Sequence, residues 1–270
     1  KFELDAPIVI GNTQTLYRNL DKIRKEFGTI ILDEMHHVSS PTFSKVIDSN
    51  HCRYKIGLSG TIERKDGKHV VFRDYFGNTL FQPPKENYMT PSIHLVPSQI
   101  RFMDGAKIPW ANRVTQLSNN EEYRHTVSML AAAYAARGHK VLVVSDRVSF
   151  LKACAELTGD KAICVTGEVP HEDREILVEE ILTGDKNVLY GTQAIFSEGI
   201  SVDTLSCLIL ATPVNNEPLL TQLIGRVIRK KQGKLDPVIV DIHLKGNTAR
   251  KQASNRVGFY MKQGWHMKYL

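Results

Sequence analysis

The sequence contains no Gly-x-x-x-x-Gly-Lys-Ser/Thr, no two cysteines at Cys-x-x-Cys spacing and no apolar run approaching the length of a membrane span. The first absence removes the glycine-rich loop whose backbone amides cradle nucleotide phosphates. The second matters because Cys52, Cys154, Cys164 and Cys207 stand apart in mostly apolar settings. That argues against a zinc ribbon or a disulfide framework and for reduced, structural thiols in a cytoplasmic protein. The third, with no visible signal peptide, points away from the membrane. Negative charge is scarce in one region. From Arg226 onward eleven Lys and Arg face only Asp236 and Asp241, so this tail carries +9 and the remainder −3 of a net +6.

What is present is a chain of 270 residues, 42% hydrophobic, enough to bury two cores. Its most informative run is Ile30-Ile31-Leu32-Asp33-Glu34-Met35-His36-His37, an apolar strand ending abruptly in two carboxylates. Such acids suit Mg²⁺ and an attacking water, although a solvated strand end or a helix cap has the same appearance. Downstream, in order, come Gly57-Leu58-Ser59-Gly60-Thr61, Tyr190-Gly191-Thr192-Gln193, Ser197 to Asp203, and Gln222-Leu223-Ile224-Gly225-Arg226-Val227-Ile228-Arg229.

Hydrophobic periodicity predicts alternating strands and helices, hence buried parallel pairing. In the amino-terminal half the expected strands are 8–11, 29–32 and 54–58, with helices near 16–26 and 41–49. In the other half, helices near 121–137, 148–157, 173–182 and 217–229 alternate with strands 141–145, 162–166, 187–191, 207–211 and 237–242. Residues 62–119 have poor periodicity and several prolines, and read as a bridging stretch contributing short strands.

The ordered motifs resemble the superfamily 2 helicases and translocases. Asp33-Glu34-Met35-His36 is similar to motif II of the DExH type, Ser59-Gly60-Thr61 to motif III, Gly191 to Asp203 to motif V, and Gln222 to Arg229 to the QxxGRxxR of motif VI. The resemblance implies an α/β fold of two RecA-like parallel-sheet lobes, the first incomplete and the second complete, divided as 1–112 and 113–270. Only 32 residues precede Asp33. The missing loop and its neighbours need on the order of a hundred, at roughly thirty per βαβ unit. With Lys1 at the start, the chain is therefore expected to be part of a longer helicase and to bind ATP poorly by itself.

By resemblance, Asp33 is expected to hold Mg²⁺ and Glu34 to act as base or water orienter. His36, Gln222, Gly199 and Asp203 are expected to bind or sense ATP, and Ser59, Gly60, Thr61 and Glu198 to couple the nucleotide to the second lobe. The pair His36 and His37 invites zinc, but no third ligand stands at useful spacing. Arg226 and Arg229, three apart on an expected helix, carry planar forks suited to a γ-phosphoryl group and resemble the family's arginine fingers. Thr13, Gln14, Ser145, Arg147, Thr166, Gly167 and Thr192 resemble its backbone-gripping elements. Each hydroxyl can equally cap the helix that follows it. Lys230 and Lys231 belong to the basic tail, where Phe259, Tyr260, Trp265 and Tyr269 either stack on bases or pack on the core.

The function implied is an ATP-dependent DNA helicase, acting as a monomer on the backbone of branched, forked or single-stranded DNA. Residues 62–67 and the ending from Gly258 to Trp265 resemble bacteriophage recombination and branch-migration helicases. A duplex translocase of restriction or chromatin type, or a binding module without catalysis, remains as an alternative.

Overall fold

The computed structural model describes residues 3–35, 38, 40–59, 71–81, 85–105, 107–193, 195 and 202–270. The chain divides into two compact units, 1–83 and 84–270. The boundary expected from sequence, 112/113, differs from this one because of a single strand. Strand β3, Ser92–Arg101, is a long member of the second unit's sheet. Its Pro97 made it read as a bridge, and the register against its neighbour does shift between Pro97 and Arg101, where proline's missing N–H is tolerated.

In the first unit, β1 (Thr29–Leu32) and β2 (Tyr54–Gly57) pair in parallel, with Leu32 opposite Gly57. Helix α3, Pro41–Asp48, begins with a proline, whose fixed φ suits the first helical turn. Helices α1 (Thr13–Tyr17) and α2 (Leu20–Ile23) replace the single helix expected near 16–26. The Asn19 side chain donates to the Thr15 carbonyl at 2.9 Å, competing with the helical ladder at the break. A strand at 8–11 does not form. Among the described residues no strand pairs with it, and Ile8 and Ile10 are exposed. Met35, Val38, Ile47 and Phe72 form the small core, the last from α4, Val71–Phe76.

The second unit is a seven-stranded sheet of order β5-β6-β4-β7-β8-β3-β9, with every pairing parallel. Its other strands are β4 (Val141–Ser145), β5 (Ala162–Val165), β6 (Val188–Thr192), β7 (Cys207–Leu210), β8 (Val238–Lys245) and β9 (Met267–Tyr269). Alternation sends Val141, Val143, Cys207 and Ile209 to one face. There they meet Tyr123, Val127 and Tyr134 of α6 (Glu121–Ala136), Val114 of α5 (Trp110–Ser118), and Phe150 and Leu151 of α7 (Val148–Thr158). Leu142, Val144, Leu208 and Leu210 face the other way. They pack with Ile181 of α8 (His171–Thr183), Leu220 and Leu223 of α9 (Glu217–Val227), and Phe259 and Tyr260 of α10 (Asn247–Lys262). The result is a three-layer α/β/α unit.

Helix α10 and β9 resolve the aromatic tail. Phe259 and Tyr260 are buried, and Trp265 stacks on Tyr260 with centroids 6.2 Å apart, so these rings pack the core rather than wait for bases. Beneath them lies a buried charge cluster. Asp241 of β8 accepts two hydrogen bonds from Arg256, at 2.7 and 2.8 Å, and a third from the Tyr260 hydroxyl at 3.1 Å. All four cysteines are free thiols, and burial pushes that of Cys154 up to about 12. Among the described residues no helix is long and apolar enough to cross a membrane.

Candidate functional site

In a parallel sheet all carboxyl ends lie on one edge, which collects residues distant in sequence. In the first unit that edge holds Asp33 and Glu34 after β1 and Ser59 after β2. The chains stay paired past the strands, with Leu58 donating to the Leu32 carbonyl and Met35 to the Leu58 carbonyl, both at 2.8 Å. Asp33 is exposed, and its Oδ1 accepts the Glu34 N–H at 2.9 Å. Glu34 has φ +50, a left-handed conformation that costs a non-glycine residue energy and recurs at functional positions. Its Oε2 is buried. His36, Gly60 and Thr61 lie outside the described residues. Thr13 and Gln14 open α1, which Asn12 caps through its side chain at 2.9 Å from the Gln14 N–H.

In the second unit the same kind of edge gathers Ser145, Thr166 and Thr192 at the ends of β4, β5 and β6, with Ser145 and Thr192 in register. Two of these expectations need correction. The Ser145 hydroxyl is fully buried, 2.6 Å from the hydroxyl of Thr212, and accepts the Arg147 N–H at 3.2 Å. Thr166 is equally buried and accepts the Glu168 N–H at 3.4 Å. Both hydroxyls are turned inward, shaping the turns instead of facing a phosphate. Thr192 is half-buried and Gly167 exposed. The Arg147 guanidinium reaches the Ala111 carbonyl at 3.0 Å and Asp146 at 3.5 Å. Thr212 and Asp146 were not singled out from sequence. Thr212 Oγ1 is 3.4 Å from Asp146 Oδ1, a contact across 66 positions with no local signal.

Asn216 caps the start of helix α9, its side chain accepting the Leu219 N–H at 3.5 Å. Gln222 and Arg226 stand four apart on it and so share a face. Arg229 does not. The helix ends at Val227 with Ile228 as its cap, so the two arginines are not neighbours on one helix as expected. Arg229 instead lies in an antiparallel bridge with Tyr88, and its Nη1 is 3.4 Å from Oδ1 of Asp203, joining the segments resembling motifs V and VI. Glu198 and Gly199 lie outside the described residues. Lys230 and Lys231 are exposed, and Lys230 lines a groove of about 510 Å³ with Tyr88, Thr90, Asp236 and His266.

Among the described residues no group of three or more His, Cys, Asp or Glu is placed to hold a metal ion. Mg²⁺ does not require one, since it is usually held by one or two carboxylates together with substrate phosphates. The exposed oxygen donor Asp33, with Glu34 beside it, fits that habit.

Comparisons with known proteins find helicases among the similar sequences and structures. Residues 122–231 match the family described as helicase conserved C-terminal domain, and residues 1–64 match the type III restriction enzyme, res subunit. The chain is 42% identical to "Probable helicase D10" of Escherichia phage T5 across 98% of its own length and 60% of that protein. It is 27% identical to "ATP-dependent DNA helicase uvsW" of Enterobacteria phage T4 across 100% of its length and 55% of that protein. The crystal structure of T4 UvsW superposes with a TM-score of 0.55 at 25% identity, covering 98% of this chain and 58% of that one. The chain thus spans little more than half the length of these relatives, and its parallel units are RecA-like. Taken together, these matches make the chain similar to the superfamily 2 helicases, the bacteriophage UvsW type among them.

Proposed function

We propose that the whole protein is an ATP-dependent DNA helicase that remodels or unwinds branched DNA in recombination, repair or replication. The observation that carries this reading is the Asp33-Glu34 turn at the carboxyl end of β1, with Glu34 kept at a positive φ. A strained acid beside an exposed one suits a group that must meet water and Mg²⁺ at a fixed angle. In this reading Asp33 holds the ion, which neutralises phosphate charge when bound, and Glu34 orients or deprotonates the attacking water. Arg226 and Arg229 stabilise charge on the transferring phosphoryl group, and Gln222 senses the nucleotide. DNA is gripped through its backbone, so affinity is insensitive to base sequence. Thr13, Gln14, Arg147, Gly167, Thr192, Lys230 and Lys231 are the candidate contacts. Without a glycine-rich phosphate loop, the 270-residue chain by itself turns ATP over slowly.

Glu34→Gln in the full-length protein tests the reading, because it keeps the shape and removes the base. DNA-stimulated ATP hydrolysis should fall by about 10²- to 10⁴-fold, the usual contribution of a general base, with nucleotide binding retained. Hydrolysis at the wild-type rate would overturn the assignment. The match of residues 1–64 to a restriction-enzyme subunit favours a second reading, a duplex translocase that does not separate strands. Strand-displacement assays on forked, four-way and plain duplex DNA distinguish the two. Displacement confined to branched substrates supports the first, and movement along duplex without displacement supports the second.

A further inference from the structure

Arg229 sits beyond the end of α9, so the helix does not fix it, yet a group that meets a phosphoryl transition state must be held to within a fraction of an ångström. Several contacts meet at this residue. On one side the chain pairs with the strap at 87–89. Met89 donates to the Ile228 carbonyl at 2.7 Å, and Lys230 donates to the Asn87 carbonyl at 2.9 Å. The guanidinium meets Asp203 at 3.4 Å. The Lys234 ammonium donates to the Arg229 carbonyl at 2.8 Å.

The local sequence explains how Lys234 arrives there. Lys231-Gln232-Gly233-Lys234 is a tight turn closed by the Lys234 N–H on the Lys231 carbonyl at 3.3 Å, with Gly233 at φ +78. That left-handed position favours glycine, and it folds the chain back on the helix end. A cation just beyond the carboxyl end of α9 also suits the negative end of the helix dipole. Lys234 is half-buried where Lys230 and Lys231 are exposed, and burial lowers its ammonium to about 8 despite the pull of Asp203. This is poor placement for a contact with a DNA phosphate.

We propose that Lys234 is a positioning residue for Arg229, clamping its backbone against the 87–89 strap so that the guanidinium is held for phosphoryl transfer. The inference rests on the proposed role of Arg229 in ATP hydrolysis.

The test measures DNA-stimulated ATP hydrolysis, DNA affinity and thermal unfolding of the full-length protein carrying Lys234→Met, Lys234→Arg, Gly233→Ala, Arg229→Ala, and Lys234→Met combined with Arg229→Ala. Lys234→Met should lower kcat by about 10- to 100-fold, since displacement by about 1 Å can cost about 10². KM for ATP and DNA affinity should stay unchanged. Lys234→Arg should restore most of the rate, and Gly233→Ala should reproduce a milder loss even if Lys234→Met folds poorly. The double variant should be no slower than Arg229→Ala alone, because a clamp has no effect once its object is gone. Normal kcat in both Lys234→Met and Gly233→Ala, with Arg229→Ala slow, overturns the clamp and leaves the proposed function standing. Losses that multiply in the double variant also overturn it. Normal turnover by Arg229→Ala removes instead the proposed role of that arginine.

Discussion

At the scale of single residues, the two kinds of acid in this protein illustrate what sequence reveals. Asp33 and Glu34 stand out in the sequence through the ordered motifs that follow them, since two carboxylates after an apolar strand also suit a solvated strand end or a helix cap. Asp241 is not, since it stands inside the apolar run of β8 and its partner Arg256 comes from a helix that the sequence reading left as tail. Burial alone would raise the Asp241 carboxyl. The Arg256 guanidinium, aided by His243, outweighs this and holds it at about 2. A folded-state pKa below the ordinary value of about 3.9 contributes stability at all pH above about 4, and that stability is lost as pH falls through about 2. Arg256→Met strands the carboxylate in the core and should destabilise the second unit by about 3–5 kcal/mol at pH 7. The carboxyl pKa of the variant then rises above its unfolded value, so the deficit shrinks on acidification. Denaturant unfolding at pH 7 and pH 4 checks both the loss and its sign. The inward hydroxyls of Ser145 and Thr166 mark the complementary limit. Period-2 patterning locates a strand end, but whether its last hydroxyl faces solvent depends on neighbours such as Thr212, 67 positions away.

At the scale of elements, strands and helices of strong period appear where the sequence put them, from β4 through α9, with ends shifted by a residue or two. Three of the elements missed carry a local contradiction: β3 contains Pro97, α5 follows Pro109, and α10 is a strongly polar helix whose buried residues include Gln252 and Arg256. The segment after α9 belongs to the basic tail, and the structure divides its lysines. Lys230 and Lys231 are exposed, while Lys234 is engaged with the Arg229 carbonyl. Neutralising Lys230 and Lys231 should therefore flatten the dependence of log affinity on log salt by about two contacts, at about 0.9 each on duplex or about 0.7 on single strands. Adding Lys234→Met should flatten it no further. Titrations with random-sequence DNA at several salt concentrations supply the slopes. An unchanged slope in the double variant would move the DNA contacts to Arg147, Gly167 and Thr192.

At the scale of the whole molecule, the two units are unequal. The first has a core built on Met35, Val38, Ile47 and Phe72, whereas the second packs both faces of a seven-stranded sheet. Amide hydrogens of β1 and β2 should therefore exchange well before those of β4, β7 and β8, because opening a small core exposes little apolar surface. Hydrogen exchange by mass spectrometry checks the order, and equal protection would show that the first unit draws stability from beyond its own core. The strand order of the second unit also governs its birth on the ribosome. Strand β3 leaves the exit tunnel first among the seven, but its partners are β8 and β9, the last two. At about 5–20 residues per second, its buried side chains Ile93 and Leu95 wait on the order of ten seconds or more for a neighbour to be made. During that interval a strand edge without its ladder is open to any other nascent chain. The unit's yield in cells thus depends on how fast its final third is translated, and slow codons after Cys207 should raise the aggregated fraction while leaving the folded product unchanged.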